Sequence, residues 1–347
     1  MLSPLGWFVG FLTWFLVLFF IGLFSDLLVV RDHSGGENGS IPDEAFDYLR
    51  ERPSFIPEDA FLLDTHSHTL ASDGRMTPEQ NIKWHIANGF NAFVVSDHNT
   101  GKNNEPSMIL QEKYPSILII PGYEWTTPRI HMNFIGILDF PYPVPRKASD
   151  KDIKQAIDRA QDLGAIIQCD HVSWTVSQDV YQSRNLVHPT RQELIEWGVD
   201  GFEINNSMQW YDGRTVHVMD FLEQNGLLEK PVFLSTGTDI HDPRNSFVTG
   251  WTELLLTPGE RENASIDIVK QALREGRTKV WLDHDYHPSH EAQYREGTGG
   301  RVLLKPFRRL GNKIYSSPPR ETAAWVTCLI LLYFPAMALF HLLFVFF

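Results

Sequence analysis

Residues 60–80 read AFLLDTHSHTLASDGRMTPEQ. The apolar run from Ala60 gives way to Asp64 and His66, as a buried strand does where it leaves a sheet. His66 and His68 stand two apart. Strand side chains alternate, so both rings would fall on one side, a natural chelate for a divalent ion. Thr77-Pro78-Glu79-Gln80 is a capping box with proline at the first helical position, and Gly89 closes the helix it opens. Strand, polar loop and helix in succession make one unit of an α/β sheet or barrel.

The pattern continues outward. Strands are predicted at 91–98, 117–124, 131–138, 165–170, 201–205, 231–237 and 278–283. Helical periodicity falls at 150–163, 190–197, 214–225 and 265–275. Short apolar strands alternating with amphipathic helices predict a parallel α/β sheet or barrel. In a barrel the strand ends share one face, where active sites form. Polar residues recur there. Ser72-Asp73-Gly74 follows the first strand and Ser96-Asp97-His98-Asn99 the second. Gly122-Tyr123-Glu124 ends the third, with His131 beyond, and Asp170-His171 and Thr238-Asp239-Ile240-His241 come later. Any one of these histidines reads as well as a satisfied loop residue; six of them with three carboxylates point to metal.

Composition narrows the function classes. Thirty Lys and Arg stand against 43 Asp and Glu, a formal charge of −13. That excludes a general nucleic-acid coat, which needs a basic surface. A hydrophobic fraction of 43% excludes a disordered chain. Two cysteines, Cys169 and Cys328, exclude a disulfide scaffold, and Cys169 reads as a strand residue facing the wall or core.

Both ends read as membrane segments. No charge occurs from Met1 to Ser25, and residues 5–24 would make about 30 Å of apolar helix. No basic region or cleavage site marks a signal peptide, so an uncleaved anchor is expected. Residues 322–347 carry no charge except possible protonation of His341, and Pro335 would kink them. Residues 31–59 read as a linker, with a short helix at 43–51, and 285–321 as a basic juxtamembrane segment. Six basic residues and no acidic one occupy 301–320, which by the positive-inside rule places the 60–284 domain in the cytoplasm.

The ordered set H-x-H, S-D-G, S-D-H-N, G-x-E, His, D-H and D-x-H resembles the PHP family, named for polymerase and histidinol phosphatase. The resemblance spans about residues 60–284. It implies a distorted seven-stranded (β/α) barrel that hydrolyses phosphoesters with two or three divalent ions, Mn, Fe or Zn. It assigns His66, His68, Glu124 and Asp239 to one ion. Glu124, with His131 and His171, would bridge to a second, and Asp73, His98 and His241 would hold a third. Glu124 and Asp239 would also serve catalysis, with water as the nucleophile. Three divalent ions would outweigh the three carboxylates and make a phosphate-attracting pocket in an acidic protein. A small phosphorylated molecule, a nucleotide among the options, is the expected substrate.

Several alternatives accompany that reading. Arg244 reads equally as a phosphate ligand and as a surface arginine. Asp97 and Asp170 either orient ligand histidines or point away. Trp125 and Trp174 either stack on substrate or pack. His284, His287 and His290 lie in a polar loop, a weaker metal candidate. His85 and His217 read as structural. Gly122-Tyr123-Glu124 with His131-Met132-Asn133 also looks like family relatives that cleave carboxylic or carbamate esters. A nuclease and an inactive membrane scaffold complete the alternatives, the acidic surface opposing the first and the full ligand set the second.

Overall fold

The computed structural model describes residues 46, 52–145, 147–173, 187–206, 210–243 and 248–283. All belong to one contact unit, Ser40–Tyr181 with Leu186–Ala292. The expected spans 5–24 and 322–347, the basic segment, the 43–51 helix apart from Phe46, Trp174, Arg244, His284, His287, His290 and Cys328 lie outside the described residues. Among the described residues no helix is long and apolar enough to cross a membrane.

Among the described residues ten strands form one mixed sheet. They are β1 (Phe61–Asp64), β2 (Ala92–Val95), β3 (Leu118–Thr126), β4 (His131–Ile135) and β5 (Ile166–Cys169). After them come β6 (Gly201–Asn206), β7 (Trp210–Tyr211), β8 (Phe233–Gly237), β9 (Gly250–Leu254) and β10 (Thr278–Leu282). The order is β10-β9-β1-β2-β3-β4-β5-β6-β7, with β8 on β6. The eight sequence-predicted strands all occur, mostly shorter than read; β7 and β9 were not predicted. The sheet is barrel-like, as expected, but mixed where the pattern predicts parallel strands and with more strands than the seven the resemblance implies. Pairings β1–β2, β2–β3, β5–β6 and β6–β8 are parallel, while β4 runs antiparallel to both neighbours and β9 to β1 and β10.

Among the described residues seven α-helices accompany the sheet: α1 (Pro78–Ala87), α2 (Asn104–Ile109), α3 (Asp150–Asp162), α4 (Arg191–Glu196), α5 (Gly213–Gln224), α6 (Pro258–Glu262) and α7 (Ile266–Arg274). The capping box at α1 forms as read: Thr77 accepts from the Gln80 backbone, and the Gln80 side chain accepts from the Thr77 backbone. Gly89 sits at φ 77°, a conformation that a side chain would strain.

Strand alternation sorts the core. Leu63, Val94, Ile120, Ile135, Ile166, Phe233 and Leu254 meet in one apolar cluster with Val269, Ala272 and Leu273 of α7. Strands from all round the sheet converge there, so this is the barrel interior, stoppered by α7. The adjacent residues Leu62, Phe93 and Ile119, which point the other way, pack outside with Ile82 of α1. Tyr123, Trp125, Met132, Phe134, Ile167, Cys169 and Phe202 pack outside with α3 and α5. Trp125 is thus a core residue, not a substrate platform.

Two steps along the strands from the interior apolar layer lie Gly122, Asn133 and Gln168, and two steps further Glu124, His131 and Asp170. The inner wall therefore climbs from hydrocarbon through amides to ionisable groups. β4 runs against β3, so His131 stands at its first residue, opposite Thr126. The seam closes through loops: Asp239 N donates to His66 O at 2.9 Å and His68 N to Ile240 O at 3.1 Å. Thr236 and Thr252 link β8 to β9 through the Thr252 hydroxyl, 2.7 Å from Thr236 N.

Candidate metal centre

β1 ends at Asp64, so His66 and His68 lie past the strand, not on it. They stay side by side because Ser67 makes a parallel bridge to Ile240. Their Nε2 atoms are 3.1 Å apart. The chain then turns at Gly74, where a Cβ would stand 2.6 Å from the His68 carbonyl carbon. Asp97 settles one open question by pointing to this turn. Its carboxylate accepts from Thr69 N at 2.8 Å, Thr69 Oγ1 at 2.5 Å and Ser72 Oγ at 2.7 Å. Asp97 thereby braces the loop that carries His68 and Asp73.

Glu124 is fully buried on β3 and is the hub. Its Oε2 lies 2.6 Å from His98 Nδ1, 3.3 Å from His66 Nε2 and 3.4 Å from His68 Nε2. Its Oε1 lies 2.7 Å from His131 Nδ1 and 3.8 Å from His171 Nε2. Gly122 permits this: a Cβ there would be 2.4 Å from Val94 Cγ1. His98 reaches the hub because Asn99 clasps the end of β3, its carboxamide paired with Thr126 N and O at 2.9 and 3.0 Å.

The remaining residues gather around the hub. Asp239 Oδ1 is 2.9 Å from His68 Nε2 and 3.4 Å from His66 Nε2. Asp73 Oδ1 is 3.1 Å from His241 Nε2, and its Oδ2 is 3.6 Å from His98 Nε2. His68 stacks on His241 with centroids 4.2 Å apart. All nine sequence-predicted metal residues thus fall into overlapping groups whose ligand atoms lie within 4.8 Å of one another: His68, Asp73, His98 and His241; His66, His68 and Glu124; His66, His171 and Asp239; His98, Glu124 and His131. His68 joins two of these groups. His171 and Asp239 hold left-handed backbone, at φ 24° and 50°. Such conformations persist where surrounding contacts over-determine them.

The donor set fits divalent ions. Asp170 Oδ2 is buried and accepts no hydrogen bond, a deficit a cation would meet, and Asp239 Oδ1 faces imidazole nitrogens of His66, His68 and His241 at 2.9 to 3.4 Å. Burial opposes a charged His66, yet Asp239, Glu203 and Glu124 raise it well above the imidazole range. The carboxylates therefore favour positive charge at this point. Burial would raise Glu124, but His98 and His66 hold it well below the carboxylate range. Burial, then His131, pushes His171 down to about 3, leaving the neutral ring that offers a lone pair. His241 goes the other way: burial is outweighed by Asp239 and Asp73, which lift it to about 9.

Sequence reading missed Glu203, which forms a fifth group with His66 and Asp170. The available signal was an acid between Phe202 and Ile204 in a predicted strand, since charges are seldom buried without partners. Asp170 is also buried, with Gln168 Nε2 donating to its Oδ1 at 2.8 Å. His85 is structural as read: its ring lies between Asn81 O at 2.8 Å and Asp64 Oδ2 at 2.9 Å. His217 is exposed on α5.

No protein-family model matches the chain. No curated protein matches it either. Among solved structures it is similar to a two-domain protein from Bacteroides vulgatus predicted to contain a PHP-like metal-dependent phosphoesterase. That match has 20% identity and a TM-score of 0.49, over 67% of this chain and 69% of the other. It is similar to a protein from Bifidobacterium adolescentis proposed to be a metal-dependent phosphoesterase, at 15% identity and a TM-score of 0.38, over 54% of this chain and 90% of the other. A third is an amidohydrolase from Chromobacterium violaceum, at 14% identity and a TM-score of 0.36, over 64% of this chain and 92% of the other.

Proposed function

We propose that this chain is a PHP-type metal-dependent phosphoesterase acting on a small phosphorylated molecule. The observation that carries the reading is Glu124: a fully buried carboxylate with five imidazoles between 2.6 and 3.8 Å of its oxygens. His66, His68, Glu124 and Asp239 would hold one ion. Glu124, His131 and His171 would hold a second, and Asp73, His98 and His241 a third. Bound divalent ions would supply a water of lowered pKa and offset charge developing on phosphate oxygens. Glu124, reaching both sides of the cluster, keeps the two ligand sets a fixed distance apart. Asp239 reaches His66 and His68 together and orients both rings. The layer of amides and hydrocarbon beneath closes the barrel, so solvent and substrate enter from the loop face. Half-exposed Asp73 marks that face. Arg244 follows Asp239 and His241 closely in sequence and is proposed to grip the substrate phosphate.

The reading extends to the chain ends. We place residues 5–24 and 322–347 in a bilayer and the barrel on its cytoplasmic side, on their apolar sequence and the basic run at 301–320.

The test is hydrolysis of p-nitrophenyl phosphate, bis-p-nitrophenyl phosphate and p-nitrophenyl acetate after loading with Mn, Fe or Zn. Phosphoester hydrolysis is expected, with more than one equivalent of metal bound. His66→Ala and Glu124→Ala should lower metal content and lower activity by about two orders of magnitude or more. Acetate cleavage without phosphoester cleavage would move the assignment to the carboxyl esters. Full metal loading in both variants would remove the ligand assignment.

A further inference from the structure

Glu203 lies on the inner face of β6 and is buried. Its Oε1 is 3.2 Å from His66 Nδ1. Its Oε2 accepts the His171 backbone N–H at 2.8 Å. Asn206 Nδ2 reaches both Glu203 oxygens, at 3.4 and 3.3 Å, and donates to Asp239 Oδ2 at 3.1 Å. One carboxylate therefore touches His66 and His171 directly, and Asp239 through one amide.

The geometry of His66 gives this contact a consequence. Its Nδ1 faces Glu203, while its Nε2 faces Glu124, Asp239 and His68. A ring nitrogen that donates to a carboxylate leaves the other nitrogen to offer a lone pair. Glu203 thus selects Nε2 as the atom turned to the cluster. At His171 the bond falls on the amide of a residue with left-handed backbone, where a fixed amide limits drift of the ring. The fold also leaves room for the contact: a Cβ on Gly237 would stand 2.0 Å from Glu203 Oε1 and 2.6 Å from His66 Cβ.

We propose that Glu203 is a positioning residue of the metal centre, fixing the orientation of His66 and His171, with Asn206 extending its hold to Asp239. The proposal rests on the metal-centre reading and assigns Glu203 no contact with substrate. Its strands and ligands lie far apart in sequence, so the carboxylate also ties β6 to the β1 and β5 loops within the ring.

Zinc affinity by chelator competition, with thermal melting in EDTA, tests it on the full chain. Glu203→Gln keeps the shape and removes the charge. Its zinc affinity should fall about 10- to 100-fold, while its melting temperature in EDTA stays within a few degrees of the parent protein. Asn206→Ala should show a smaller loss of the same kind. A folded Glu203→Gln variant with undiminished zinc affinity overturns the proposal. If that variant does not fold, Asn206→Ala decides: lowered affinity with parental melting supports the role, and parental affinity overturns it. A parent protein that binds no zinc overturns the metal centre itself, and this arm separates the two failures.

Discussion

Cys169 and Glu124 show how one residue's surroundings set its chemistry. Both are buried, but Glu124 is surrounded by imidazoles and Cys169 by Met132 and Phe202. Burial pushes the Cys169 thiol well above its ordinary range, with Asp170 adding to the effect. A thiol held neutral makes a poor nucleophile, consistent with a site built on metal ligands. The raised pKa also has a stability consequence. The folded state binds the thiol proton more tightly than the unfolded chain, so the contribution is complete below the unfolded thiol's pKa of about 8.5. It is lost as pH rises above that value towards the folded pKa. Cys169→Ser lacks this slope and should keep most activity. Urea denaturation from pH 7.5 to 10 should show the parent losing stability relative to the serine variant, by at most about 1.4 kcal/mol per pH unit. Parallel curves would show that burial does not raise the folded thiol above its unfolded value.

Among the elements, α1 has the clearest local code. Thr77, Pro78 and Gln80 start it, Asn88 caps its last turn and Gly89 turns the chain away. It packs Ile82 and Trp84 into the outer core and sends Asn81 and His85 inward, to Ser67 Oγ and Asp64. Asp64 in turn accepts from His66 N at 3.2 Å and Thr238 N at 2.9 Å. The helix therefore supports both ligand loops from behind. Thr77→Ala removes one cap and leaves these inward contacts in place. Its expected cost is about 1 kcal/mol of stability by denaturant titration, with kcat unchanged. A fall in kcat at full folding would show that the cap also sets the loop positions. β9, by contrast, has little local code: GWTEL becomes a strand because β1 and β10 flank it, in register Leu63–Thr252 and Val280–Thr252.

At the scale of the whole molecule, the proposed bilayer placement predicts which way the barrel faces. The six basic residues at 301–320 adjoin the apolar 322–347 segment, where Lys/Arg bias acts most strongly on orientation. A tag within the barrel should be protected from protease added outside intact cells or spheroplasts. Digestion from that side would reverse the proposed orientation and move the proposed phosphoester substrate outside the cytoplasm. The metal chemistry is independent of this outcome, since the ligand cluster lies within the barrel's own loops.

The sequence by itself determined the local parts. The eight predicted strands, the α1 cap and nine residues that come together at the loop face were legible, because each depends on neighbours a few positions away: an apolar run, a capping spacing, a polar turn after a strand. The resemblance in His66, His68, Asp73 and His98 was concentrated in two short stretches for the same reason. Tertiary structure decided what crosses the barrel. β4 runs antiparallel, which puts His131 opposite the end of β3, and strand direction is a property of pairing and not of the run HMNFI. Glu203 gains its role from His66, 137 residues away, and the run GFEIN carries no trace of that partner. Which histidines share a carboxylate likewise depends on the closure of the ring, where His66, His68 and Asp239 meet through backbone hydrogen bonds between the first and last loops. Local geometry is encoded in spacing along the chain; the grouping of charges depends on desolvation and distance between segments that only the closed barrel brings together.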